Sequence, residues 1–98
     1  MSNYEALFED EDSLFSGSPK SKYHDIATQA NDEIVKDEFD KIVEKFAAME
    51  QLLEQAYEGE DIDRMIQNHI FSNTNDVENH KKGLYIEFTG NIVMRLDS

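Results

Sequence analysis

An α+β fold is predicted for this chain, a small helical hairpin or bundle followed by a C-terminal β-hairpin, and three observations predict it. From Val35 to Ala56, apolar residues recur at alternating steps of four and three, the period of one helix face. From Leu84 to Leu96 the period falls to two, interrupted by Thr89, Gly90 and Asn91, which is the pattern of two strands joined by a short loop. Ahead of both, residues 1–17 carry five acids and no base, with too few apolar side chains to fold alone. The expected organisation is a disordered acidic tail over residues 1–17 and a single α+β domain over residues 18–98.

The tail contains two Leu-Phe pairs, Leu7-Phe8 and Leu14-Phe15, separated mainly by Glu9, Asp10, Glu11 and Asp12. Ordering about ten residues costs on the order of 10–20 kcal/mol of backbone entropy. Burying Tyr4, Leu7, Phe8, Leu14 and Phe15 would return about 1.5–3 kcal/mol each. The two sums roughly cancel before the acids repel one another, so the tail is expected to order only when something covers it. That cover is either this chain's own domain or the apolar groove of a partner.

Ser18-Pro19 reads as a helix start, because a serine oxygen caps free N–H groups and proline suits the first helical position. A first helix is expected to run to about Ala30, with Tyr23, Ile26, Ala27, Ala30 and Ile34 on its apolar line. Asn31 can cap a second, long helix that carries Asp32 and Glu33 in its first turn, where acids meet the positive end of the helix dipole. Its core line is Val35, Phe39, Ile42, Phe46, Met49 and Leu53. Phenylalanines at successive core positions, with Val43, Leu52 and Tyr57 widening the face, suit a bundle better than a two-stranded coil. Gly59 can end this helix and Asp61 open a shorter one bearing Ile62, Met65, Ile66 and Ile70. A turn is expected at residues 72–75, then one or two helical turns up to Gly83, then the hairpin.

Composition limits the chemistry. Twenty-two acids against nine bases give 98 residues a formal charge of -13, which repels nucleic acid and anionic membranes and favours a basic protein partner. With no cysteine, there is neither a disulfide framework nor a thiolate metal site. His24, His69 and His80 lack the paired spacing of a helical zinc site, and Asp61 and Asp63 lack the ligand ladder of a calcium loop. No nucleophile motif or phosphate-binding glycine loop is present, so no enzyme activity, metal or cofactor is expected. Without a signal sequence or a long apolar span, a cytoplasmic location is expected, the host cytoplasm if the source is viral.

Two functions of different class fit these residues. One is a small acidic inhibitor or modulator, in the style of small phage-encoded inhibitors, that occludes a larger, basic, nucleic-acid-handling protein. Tyr4, Leu7, Phe8, Leu14 and Phe15 would anchor it, and Asp37, Asp40, Glu44, Glu54 and Glu58 would mimic the charge of nucleic acid. The alternative is a structural or assembly adaptor of scaffold, connector or packaging type. It would form homo-oligomers through the core line of the long helix or by edge pairing of the terminal strands.

Overall fold

Side-chain oxygens open three of the helices at the positions their chemistry suggests. In the computed structural model, which describes residues 17–96, Ser18 Oγ accepts from the Ser21 N–H at 3.1 Å and α1 runs Pro19–Gln29. Ala30 turns to extended backbone, so the first two helices are separate pieces. Asn31 Oδ1 then accepts from the Glu33 N–H at 2.8 Å and opens α2, Asp32–Ala56. At 25 residues, α2 is about 37 Å long. Gly59, at φ +83°, reverses the chain where a side chain would be strained. Asp61 Oδ1 accepts from the Arg64 N–H at 3.1 Å and caps α3, Ile62–Ser72. The five tail residues singled out above lie outside the described residues.

The last segment departs from expectation. Residues 84–96 do not form a β-hairpin; they are the second half of α4, Thr74–Leu96, one helix of 23 residues. The described residues form four helices and no strand, so the fold is all-α rather than α+β. The turn expected at residues 72–75 shrinks to Asn73, whose Nδ2 donates to the His69 carbonyl at 3.0 Å. The reason for the error is that residues 84–96 carry two periods at once. Leu84, Ile86 and Phe88 alternate, but Leu84, Phe88, Ile92 and Arg95 also follow at steps of four and three, and this second set is the partly or fully buried one. Gly83 and Gly90, taken as turn residues, sit inside the helix without positive φ. Thr89 Oγ1 donates to the Tyr85 carbonyl at 2.7 Å, a bond one helical turn long. Self-association through strand edges is removed along with the strands.

Helix α4 is the hub, against which α1, α2 and α3 each pack. The α1–α4 contact is the most extensive and includes Tyr23 and Tyr85, whose ring centroids are 5.8 Å apart. The assembly measures 46 × 39 × 15 Å. The short dimension is less than half of either of the others, so the assembly is flat. The radius of gyration of 16.4 Å exceeds the roughly 13 Å of a compact chain of 100 residues. Ile92 is the single fully buried large side chain among the described residues.

Candidate functional site

Helix α2 presents three different surfaces around its axis. Toward α4, Ile42, Phe46 and Met49 face Leu84, Phe88 and Ile92 across an open groove of about 380 Å³. Lys41, Lys45 and His80 line the same groove with Glu38 and Glu87, so within a chain of net charge -13 this hollow is close to charge-balanced. Tyr23 of α1 reaches its edge. Lys41 is engaged with Glu38, whereas Lys45 has no carboxylate partner among the described residues.

Beside the groove, an ion cluster fastens the N-terminal half of α2 to the last turn of α4. Arg95 Nη1 donates to Asp37 Oδ2 at 2.9 Å and to Glu38 Oε2 at 3.0 Å, and Lys41 Nζ donates to the same Glu38 oxygen at 3.1 Å. Glu38, 8% exposed, is the one buried charged residue among the described residues. The hydrogen bond from Arg95, followed by the contributions of Lys41, holds the Glu38 carboxyl below its ordinary range although burial pushes the other way. The Arg95 guanidinium is raised in turn, chiefly by Glu38 and then by Asp37.

The second surface of α2 is an apolar stripe. Phe39, Val43 and Phe46 follow at steps of four and three, and they are 59%, 48% and 56% exposed. Of the expected core line, Val35, Ile42 and Leu53 are half-buried, while Phe39, Phe46 and Met49 remain exposed. The third surface is acidic. Asp40, Glu44, Glu54 and Glu58 are exposed and without an ion pair among the described residues. Asp37, grouped with them from its spacing, is instead partly neutralised by Arg95. Tyr4, Leu7, Phe8, Leu14 and Phe15 fall outside the described residues, so their geometry relative to these surfaces is untested.

Glu38 and Arg95 were not singled out by sequence reasoning, although one signal was present. Glu38 lies three residues after Val35 and four before Ile42, an acid on the apolar line. A charge in that position needs a partner when buried, but nothing local indicates that the partner is 57 residues away. The three histidines are dispersed over α1, α3 and α4, and no group of three or more His, Asp or Glu among the described residues is placed to hold a metal ion. No helix among them is long and apolar enough to cross a membrane.

Comparison with known proteins adds a family without a function. No curated protein and no solved structure matches the chain. Residues 15–97, which include all four helices, the groove and the ion cluster, match the model of a domain of unknown function, DUF2018. The chain belongs to the DUF2018 family.

Proposed function

We propose that this chain is an assembly adaptor that acts by binding protein, and that its first partner is a second copy of itself, in the cytoplasm. The observation that carries this reading is the Phe39, Val43 and Phe46 stripe, left open on the longest helix of a flat assembly. Each of these side chains gains about 1.5–3 kcal/mol when fully covered. A homo-oligomer formed across α2 would cover this stripe.

Light scattering of the full chain during size exclusion tests this reading. A mass of at least twice 11.4 kDa is expected at micromolar concentration, unchanged between low and high salt, because apolar burial is not screened. A monomeric mass under both conditions would remove the reading.

A second reading rests on the exposed acids Asp40, Glu44, Glu54 and Glu58. Asp40, Glu44 and Glu54 lie on the opposite side of α2 from the groove, with Glu58 in the turn that follows the helix, and they form a surface suited to a basic protein, including one that handles nucleic acid. In this reading the assembled chain inhibits or modulates that protein by occluding its basic face. Such binding weakens steeply as salt rises, which separates it from self-association.

A further inference from the structure

We propose that residues 7–15 of the chain are the occupant of the groove between α2 and α4, with the two Leu-Phe pairs on its apolar floor and the intervening acids against Lys41, Lys45 and His80. The groove adjoins the stripe assigned to self-association and shares Phe46 with it, while Ile42 and Met49 belong to the groove alone.

Charge is the first argument. The chain as a whole is strongly acidic, yet the groove sets two lysines and a histidine against two glutamates, Glu38 and Glu87. The carboxylate of Glu38, on the same wall, is already taken up by Arg95 and Lys41. Residues 1–16 contain five acids and no base, four of them consecutive between the two Leu-Phe pairs. An acidic segment with apolar ends therefore meets an apolar floor whose rim, unlike the chain as a whole, carries no excess of acid and keeps Lys45 without a carboxylate partner among the described residues.

The path of the chain is the second argument. The described residues begin at Gly17, and Ser18 and Pro19 lie in a hollow with Lys81 and Tyr85 of α4. Those two residues adjoin His80 and Leu84 in sequence, and these line the groove. The segment therefore starts beside the site. Nine helical residues span about 13 Å, which lies within the roughly 18 Å that separate residues 80 and 92 along α4.

Spacing is the third argument. Leu7 and Leu14 are seven residues apart, as are Phe8 and Phe15. On α2, Ile42 and Met49 are also seven apart and both line the groove. Seven residues span about 10.5 Å of helix, close to two full turns, so a helical segment beside α2 would set both of its pairs against that floor in register. Their burial supplies the free energy that the segment lacks alone.

Because the chain has no cysteine, a spin label on Ser13→Cys in the full-length protein is site-specific, and paramagnetic broadening of amide signals locates it. Amides around residues 42–49 and 84–92 are expected to lose intensity at least twofold. Lys45→Glu, a change at an exposed position, is expected to restore most of it, as is Phe8→Ser. Mixing spin-labelled, isotopically unlabelled chain with unlabelled-spin, nitrogen-15 chain should give no broadening at the groove. Broadening in the mixture as strong as in the doubly labelled chain, once dilution is allowed for, would assign the groove to a neighbour's tail and overturn the proposal. Undisturbed groove signals, broadening confined to another surface, or broadening that survives Lys45→Glu would each overturn it as well.

Discussion

Helices α2 and α4 are nearly equal in length, 25 and 23 residues, yet the fold uses them differently. Three helices pack on α4, and it supplies Ile92, the one fully enclosed large side chain among the described residues. On α2, the only buried residue is an acid, Glu38, while Phe39, Val43 and Phe46 stand open. The difference locates two kinds of stability. What holds one chain in shape is concentrated on α4, and the apolar capacity left over is concentrated on α2. A helix bearing an apolar stripe with nothing against it is half of an interface.

Substitutions on the two helices should therefore fail in different ways. The largest loss is expected for Ile92→Ala, which leaves a cavity at the hub and should cost about 2–5 kcal/mol. Chemical denaturation followed by circular dichroism measures it, and a loss comparable to that of a surface change would mean that α4 is not the hub. On α2, Phe39→Glu with Val43→Glu should abolish association while leaving the helical signal of the isolated chain nearly unchanged.

The Glu38–Arg95 contact, which joins the two helices, should have an intermediate effect. Arg95→Met leaves the Glu38 carboxylate buried with Lys41 as its only remaining cation and should lower the denaturation midpoint by less than Ile92→Ala does. Water reaches Arg95 and Asp37, which limits the contribution of the pair. The pH dependence follows from the lowered Glu38 value. Stability from a carboxylate whose folded pKa is depressed is complete above its ordinary value, here 4.5, and is lost as pH falls through the folded value. The advantage of the wild-type chain over Glu38→Gln should accordingly be constant near neutrality and shrink only in acid. An advantage that grows in acid would contradict the assignment.

The smallest expected effect distinguishes the helix from the hairpin that the alternation suggested. Gly90 lies within α4, and an added methyl group there would meet no atom within 4 Å. Gly90→Ala should raise stability by roughly 0.5–1 kcal/mol, as should Gly83→Ala, whereas a turn glycine would be harmed by the same change. Gly59, at φ +83°, supplies the control that should lose stability.

These contrasts also show what was legible in the sequence. The starts of α1, α2 and α3 were readable because a cap is a bond between neighbours, as with Ser18 and Ser21, Asn31 and Glu33, or Asp61 and Arg64. The type of the last element was not, since residues 84–96 satisfy both periods and packing on α1 and α2 decides between them. Most of the surfaces of α2 were visible as stripes of one residue class. The partner of Glu38 was not visible, because Arg95 comes near only after α4 has formed as a single helix. The contact between Arg95 and Asp37 was hidden for the same reason.

The central claim is that the open stripe on α2 is covered by α2 of a second copy, and a distance between copies tests it most directly. A single spin label at Glu44→Cys, an exposed position beside the stripe, gives no dipolar signal within one chain. Double electron–electron resonance on the full-length protein should show one narrow interspin distance that disappears when Phe39→Glu and Val43→Glu are added. A featureless decay at concentrations where the chain is well folded would show that α2 stands alone, and would contradict the account.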